Sequence, residues 1–239
     1  MTEQTMEAME VEAPPKTRRM AFVLPFIIVV LVGVITAASG IALYRAKRPA
    51  ILEITGKGVG NNPNESVHVR GRVDAPVTIE EFGDFQCPPC GTLSGPIKQL
   101  EEDHKQNLRV IFHHFPLITH NHAREAACAA EAAGLQSKFW EMHDILYREQ
   151  REWSKAAEAR PLFNAYANLI GLDMERFKQD IDSEKVKERV SADQARGTSL
   201  GVENTPTIFL NNRAVEPANL NPEKLRGAVE EAIKAKTTP

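Results

Sequence analysis

Apolar and polar positions along this chain predict strands first, then a long helical stretch, then strands again. Compact apolar runs predict strands at Val77–Phe82, Leu108–Phe115 and Thr207–Leu210. Between the second and third runs the apolar residues recur at helical spacing. In Phe139–Leu146, for example, they fall at i, i+3, i+4 and i+7. The pattern therefore predicts an α/β protein.

The order of the remaining elements sharpens this fold class. A helix is expected from about Pro88 to His104, a last strand at about 213–216 and a closing helix from about Pro222 to Lys234. The helical stretch divides into segments near 121–133, 137–150, 155–170, 173–182 and 184–199. A strand–helix–strand unit, a helical block and a strand–strand–helix unit together predict one domain over 69–236, with an α-helical insertion at about 118–200.

The region before this domain has a different character. Residues 1–19 are polar and predict a disordered cytoplasmic tail, whereas Met20–Tyr44 carries no charge and is long enough to cross the ~30 Å apolar layer of a membrane. A cleavable signal peptide ending near Thr36–Ser39 is the alternative. The apolar run is longer than is usual for a signal peptide, which favours one uncleaved transmembrane helix. Residues 45–68 predict a flexible linker, because their glycines follow no strand and precede Asn61–Asn64.

Composition narrows the function only slightly. A length of 239 residues allows one domain of ordinary size plus an extension. A net charge of −3 and a pI near 6.2 give no reason to expect a nucleic-acid partner.

The strongest chemical signal is Cys87-Pro88-Pro89-Cys90, which lies where the first strand runs into a helix. Two cysteines at this spacing can open and close a disulfide. The helix start supplies free N–H groups and the positive end of the helix dipole. Cys87 should therefore have a low pKa and act as the nucleophile, with Cys90 one turn deeper as the resolving thiol. Half of a zinc site is the alternative, but the only other cysteine is Cys128 and no second cysteine pair exists.

Two further residues fit chemistry at this cysteine pair. Glu81 is expected near the end of a buried strand, where its pKa should rise and it could pass protons to the second cysteine. The alternative is a solvated carboxylate, or one paired with a base such as Arg109. Thr205-Pro206 precedes an apolar strand. A cis peptide bond there would offer backbone pairing to an extended substrate, whereas an ordinary edge proline is the alternative.

Several motifs together resemble one known family. They are the run Glu-Phe-Gly-Asp-Phe-Gln-Cys-Pro-Pro-Cys at 81–90, Phe115–Leu117, Phe139–Leu146 and Gly201–Thr207. They occur in family order over roughly residues 65–236, and they resemble the DsbA-like thiol–disulfide oxidoreductases of the thioredoxin superfamily. One departure is Asn211–Arg213, where the family often has an Asn-Gly turn; asparagine also tolerates the left-handed conformation that a hairpin needs. The other departure is the Pro-Pro pair between the cysteines, which leaves the redox potential open.

The resemblance implies a thioredoxin fold with an inserted α-helical domain, here preceded by one N-terminal transmembrane helix. It implies a nucleophile at Cys87, a resolving thiol at Cys90 and a disulfide between them. It also implies an acidic proton relay at Glu81 and a cis-proline at Pro206. The residues expected to contact substrate are Thr205, Pro206, Pro88 and Pro89.

The function implied is disulfide exchange with protein thiols, with oxidation as the expected direction. A reductase or isomerase using the same site is the alternative. The rival from another class is a copper- or zinc-handling protein with Cys87 and Cys90 as ligands. No cofactor is expected. The expected partners are protein substrates with thiols or disulfides, a membrane redox partner, and the lipid bilayer through residues 20–44.

The expected location follows from chemistry rather than from charge. Basic residues flank both ends of the apolar run, so the positive-inside rule is nearly balanced. Disulfide exchange is most useful in an oxidising compartment. We therefore expect a single-pass protein of the bacterial inner membrane, with its large domain in the periplasm.

Several conspicuous residues are expected to be structural. Cys128 lies in an alanine-rich helix and should be a buried small hydrophobe, a third redox thiol being the alternative. His113 and His114 end a strand, so their side chains should point to opposite faces and cannot easily bind one ion together. Packing or helix capping is expected for His120, His122, Trp140 and Trp153.

Overall fold

The structure, a computed structural model, describes residues 68–237. The expected tail, the expected transmembrane helix and all but the last residue of the expected linker lie outside these residues. Between residues 68 and 237, no helix is both long enough and apolar enough to cross a membrane.

A mixed sheet forms the centre of the described domain, with its five strands in the order β1–β3–β2–β4–β5. The strands are β1 (His68–Gly71), β2 (Val77–Gly83), β3 (Leu108–His114), β4 (Thr207–Leu210) and β5 (Arg213–Ala214). The β2 and β3 strands are parallel, and the other pairs are antiparallel. The sequence did not predict β1, because its four residues are too few to establish a pattern and two of them, His68 and Arg70, are polar.

Helices make up most of the remaining described chain. They are α1 (Pro88–Asp103), α2 (Ala123–Gly134), α3 (Phe139–Arg148), α4 (Gln150–Trp153), α5 (Arg160–Leu169), α6 (Met174–Asp180), α7 (Glu184–Ser199) and α8 (Pro222–Thr237), with a 3₁₀ turn at Pro217–Asn219. The helices α2 to α7 all lie between β3 and β4. This combination of mixed sheet and helices confirms the expected thioredoxin-like fold. The helix expected over 137–150 is two helices, α3 and α4, which are separated at Glu149.

One face of the sheet packs against the helix that carries the cysteines. Val77 and Ile79 of β2 join a buried apolar cluster with Leu93 and Ile97 of α1 and Leu225 of α8. Burying each such side chain contributes roughly 1.5–3 kcal/mol. The start of α1 is therefore anchored to the centre of the sheet.

The opposite face of the sheet packs against α7. Phe82 lies there in a smaller cluster with Phe115, Val202 and Phe209. Helix α7 comes so close that a Cβ at Gly197 would lie 2.7 Å from the ring of Phe115 and 2.9 Å from that of Phe82. Because side chains alternate along a strand, successive β2 residues face these two different environments.

Candidate active site

The cysteine pair lies at the start of α1, directly after β2. Cys87 caps the helix with an extended backbone (φ −73°, ψ 118°), and Pro88 and Pro89 occupy the first turn. Proline fits these positions, because the first N–H groups of a helix have no intrahelical partner. Cys90 lies one turn further and is fully buried, and both cysteines are free thiols in this structure.

Cys87 has the environment of a stabilised thiolate. The thiol of Cys90 hydrogen-bonds to its sulfur and is the chief reason why the pKa of Cys87 is lowered to about 6. The backbone N–H of Cys90 lowers this pKa further, while burial and the negative charge of Asp84 oppose the shift. When it is protonated, Cys87 donates from Sγ to the carbonyl oxygen of Thr205 at 3.2 Å, so the segment at Thr205 lies beside this sulfur.

Cys90 has the opposite environment. Burial raises its pKa well above the ordinary value, and sharing its proton with the Cys87 sulfur raises it further. At neutral pH the pair therefore carries its negative charge on Cys87, the residue nearer the surface. This asymmetry separates an attacking sulfur from a resolving one.

Glu81 lies beneath the cysteines in the middle of the sheet. It pairs with Phe112 on β3 and Ile208 on β4, and only 2% of its surface is exposed. Burial raises its pKa to about 8, with a contribution from the charge of Cys87, and its Oε1 atom has no hydrogen-bond partner. Arg109 instead donates to Thr78 Oγ1 at 2.9 Å and to the carbonyl of Val73. Glu81 is therefore mostly protonated at neutral pH and has a proton to give.

A small cavity adjoins Glu81 on the side of α1. Its volume is about 10 Å³, which is room for roughly one water molecule. Its polar lining includes Ser94, Lys98 and His143. Lys98 is partly exposed and donates to Asp144 at 2.8 Å. The cavity thus lies between the buried carboxyl group and side chains that reach solvent.

The Thr205–Pro206 peptide bond is cis, and this segment lies beside Cys87. A groove of about 470 Å³ adjoins it, lined by Pro89, Gly201, Glu203, Asn204, Thr205, Pro206, Thr207, Pro217 and Leu220. Three of the four residues expected to contact substrate therefore line one groove. The fourth, Pro88, is exposed but does not line this groove.

The groups that hold the loop between β2 and Cys87 were not predicted from the sequence. Asp84 is buried and accepts hydrogen bonds from the backbone N–H groups of Gln86 (2.7 Å) and Leu117 (2.9 Å) and from His120 Nδ1 (2.7 Å). The side chain of Gln86 accepts from the backbone N–H of His122 at 2.8 Å. An Asp two residues before Gln86 is a local turn signal that could have been recognised. The contacts to residues 117–122 could not be predicted from a local pattern, because they join distant parts of the chain.

The two histidines at the end of β3 point to opposite faces, as predicted. His113 lies between Glu80 and Asp193, at 2.9 Å from each, whereas His114 donates toward Glu131 at 2.9 Å. Burial acts to lower the pKa of His113, but the two carboxylates hold this pKa above its ordinary value. His113 is therefore part of an ion cluster, not of the cysteine site.

Within residues 68–237, one group has the composition of a metal site: His68, His114 and Glu131, whose ligand atoms lie within 4.8 Å of one another. It includes neither cysteine of the motif. Both histidines already hydrogen-bond to Glu131 Oε1, and Arg189 lies 3.9 Å from the same atom. A metal-bound histidine normally donates its other N–H, but His114 Nδ1 is buried without an acceptor. These contacts favour a hydrogen-bonded ion cluster.

Fold and site together define a thioredoxin-fold protein with a redox-type cysteine pair, and comparison with known proteins agrees. The thioredoxin family model matches residues 63–231, so the chain belongs to the thioredoxin family. It is similar to a thioredoxin-like oxidoreductase from Silicibacter pomeroyi (27% identity, TM-score 0.60, 73% of this chain and 95% of that one). It also has the fold of the thiol–disulfide exchange protein α-DsbA2 from Wolbachia pipientis (23% identity, TM-score 0.60, 69% and 86%). The resemblance to DsbA-like thiol–disulfide oxidoreductases is confirmed.

Curated relatives correct the expected location. A protein of Mycolicibacterium gilvum named Na⁺/H⁺ antiporter NhaA 1 is 40% identical over 154 residues, which are 62% of this chain but only 24% of that protein. The chain thus spans about a quarter of the length of this relative. The expected single-pass inner-membrane protein with a periplasmic domain is wrong on this comparison. That expectation rested on hydropathy and on the usual compartment of the chemistry, and neither property identifies the larger proteins in which a similar domain occurs.

Proposed function

We propose that this protein exchanges disulfides with the thiols of other proteins, using Cys87 as nucleophile and Cys90 as resolving thiol. The observation that carries this proposal is the placement of two free thiols within one helical turn, with Cys87 at the helix start and Cys90 fully buried behind it. The pKa of Cys87 is lowered to about 6 at the helix start, and that of the buried Cys90 is raised. A thiolate at the helix start is both a good nucleophile and a good leaving group.

In the oxidising direction, a substrate thiolate attacks the sulfur of Cys87 in a Cys87–Cys90 disulfide. The bond between the two cysteines breaks, a mixed disulfide forms, and Cys90 leaves as a thiolate that takes a proton from Glu81. The second substrate thiolate then attacks the substrate sulfur of the mixed disulfide, and Cys87 leaves as a thiolate. The substrate is oxidised and the protein is reduced by two electrons.

A groove beside the reactive cysteine supports the binding of substrate. The groove beside Thr205 and Pro206 has room for an extended substrate segment next to Cys87. After each turnover the cysteines must be reoxidised, which we assign to the membrane redox partner implied by the resemblance.

Trapping the intermediate tests the assignment of the two cysteines. With Cys90→Ser the mixed disulfide on Cys87 cannot be resolved from within, so substrates should accumulate as covalent adducts on a nonreducing gel. The matched variant Cys87→Ser should trap few, because the two remaining thiols, Cys90 and Cys128, are buried. Equal trapping by both variants, or equal alkylation of both thiols in the reduced wild type at neutral pH, contradicts the assignment.

The direction of exchange is tested by comparing the two redox forms. A stabilised Cys87 thiolate favours the reduced form, since each unit of pKa depression contributes about 1.4 kcal/mol to it. The expected result is that the reduced form unfolds at the higher temperature and that the disulfide form oxidises glutathione. If the disulfide form is the more stable one and Cys87 titrates like an ordinary thiol, the protein is a reductase.

A further inference from the structure

Gln150, at the start of α4, reaches across to the loop that carries Cys87. Its side chain is buried, and its Nε2 atom donates to the carbonyl oxygens of Phe85 at 2.7 Å and of Cys87 at 2.9 Å. The carbonyl of Cys87 also accepts from the N–H of Gly91 at 3.1 Å, which is the first hydrogen bond of helix α1. The Gln150 amide group therefore joins helix α4 to the loop and to the first turn of α1, although Gln150 lies 63 residues after Cys87 in the chain.

The Pro-Pro pair makes this contact important. Pro88 and Pro89 have no N–H groups, so the backbone between the two cysteines cannot be held by donation at those positions. Before the prolines, the N–H groups of Gln86 and Cys87 donate to Asp84, and the carbonyl groups of Phe85 and Cys87 accept from Gln150. Fixing the carbonyl of Cys87 fixes the peptide plane next to its Cα, and with it the place of Sγ relative to the helix start and to Thr205.

Gly91 shows that the side-chain amide of Gln150 packs directly on α1. A Cβ at residue 91 would lie 2.7 Å from Oε1 of Gln150 and 3.1 Å from both its Cδ and Nε2. Any side chain there must push the Gln150 amide away from the loop carbonyls. A substitution at either residue 91 or residue 150 therefore breaks the same contact.

We propose that Gln150 is a positioning residue for the exchange reaction: by binding the carbonyls of Phe85 and Cys87 it holds the Cys87 sulfur at the helix start. This inference rests on the proposed function of Cys87. Without these hydrogen bonds the two carbonyl groups seek other partners, the loop relaxes, and the thiolate loses part of its stabilisation. The reduced form then becomes less favoured relative to the disulfide.

Gln150→Met removes the donor and keeps the length of the side chain. We expect the equilibrium constant with glutathione to shift about tenfold toward the protein disulfide, equal to one pKa unit or about 30 mV. Thiolate absorbance should show the pKa of Cys87 rising by about one unit. A merely structural role lowers the stability of both redox forms equally and moves neither quantity.

Gly91→Ala is the second route and does not depend on how well Gln150→Met folds. It should shift the equilibrium in the same direction in the wild-type background, and by less than about twofold in the Gln150→Met background, because coupled residues are not additive. An equal shift in both backgrounds would mean that residue 91 acts without Gln150, and would overturn the proposal.

Gln136→Met is the matched control. Gln136 also holds a loop backbone, accepting from the N–H of Asp173 at 2.9 Å and donating to its carbonyl at 3.2 Å, but in the helical block. Its loss should destabilise both redox forms alike and leave the equilibrium unchanged. If the wild type fails to exchange with glutathione, the proposed function fails, while thiolate titration still decides the role of Gln150. An unchanged pKa of Cys87 in Gln150→Met refutes it.

Discussion

Two neighbouring glutamates on β2, Glu80 and Glu81, show how the two faces of the sheet differ. Both are buried, with 6% and 2% of their surface exposed. Glu80 faces α7, where its Oε1 accepts from His113 Nε2 at 2.9 Å and from Arg196 Nη2 at 2.8 Å. Glu81 faces α1, and its Oε1 has no partner.

The consequence is that similar burial produces opposite charge states. Burial alone would raise the pKa of Glu80, but the hydrogen bonds from His113 and Arg196 hold it below its ordinary value. Burial raises the pKa of Glu81 to about 8, and no cation opposes it. One face therefore holds a fixed ion cluster, and the other holds a carboxyl group that can exchange its proton beside the cysteines. Burial favours the neutral form of both carboxyl groups, and the hydrogen bonds from His113 and Arg196 reverse that preference at Glu80.

The largest effect is expected from removing the paired carboxylate. Glu80→Ala leaves the charges of His113 and Arg196 without this partner in a mostly buried cluster, which should cost about 4 kcal/mol of unfolding free energy. Denaturant unfolding of the reduced form at neutral pH measures it. Glu80→Gln is the control that keeps an acceptor and should cost less. A loss below 1 kcal/mol in Glu80→Ala would show that the cluster contributes little.

A somewhat smaller effect of opposite sign is expected at Glu81. Below pH 4.5 the folded and unfolded chains both hold this proton, so Glu81→Gln and wild type should differ little. Between pH 4.5 and about 8 the unfolded carboxyl group ionises and the folded one does not, so the wild type loses stability relative to the variant. At pH 7 the variant should be more stable by about 3 kcal/mol.

The pH dependence separates the two residues. Glu80 has a lowered pKa, so its contribution is present above the unfolded value and is lost as the pH falls. Denaturant unfolding of both Gln variants at several pH values should therefore give trends of opposite sign. A pH-independent difference between Glu81→Gln and wild type contradicts the raised pKa of Glu81.

The smallest effect in free energy concerns the rate of exchange. Glu81→Gln removes the proton donor for the departing Cys90 thiolate, so single-turnover oxidation of a dithiol peptide should slow by about tenfold, or 1.4 kcal/mol in barrier height. Glu80→Gln, on the other face of the sheet, should leave this rate within about twofold. Equal slowing in both variants would mean that the effect comes from general destabilisation of the sheet.

Local patterns were enough to predict most of the elements and the cysteine chemistry. The strands at 77–82, 108–115 and 207–210 lie within one residue of the observed β2, β3 and β4. The junction of β2 and α1 follows from an apolar run ending shortly before Cys87 and from two prolines that suit a first helical turn. Each of these features depends on residues within a few positions of one another.

Other parts of the site depend on contacts that no local pattern contains. The sequence predicted that Glu81 would be buried, but not that it would lack a cation while Glu80 has two. No local pattern indicated β1 or the contact that Gln150 makes. The partners of Glu80 are 33 and 116 residues away, and Gln150 is 65 residues from Phe85.

Short-range sequence patterns were sufficient to predict the fold class, the start of the active-site helix, the two reactive cysteines and the opposite directions of His113 and His114. These properties follow from strand alternation, helix periodicity and the backbone limits of proline, which act over short stretches of chain. The charge states of the buried groups and the side chain that holds the Cys87 loop became visible in the folded arrangement alone. A pKa and a hydrogen-bond partner depend on everything within a few ångströms, and those neighbours come from distant parts of the chain.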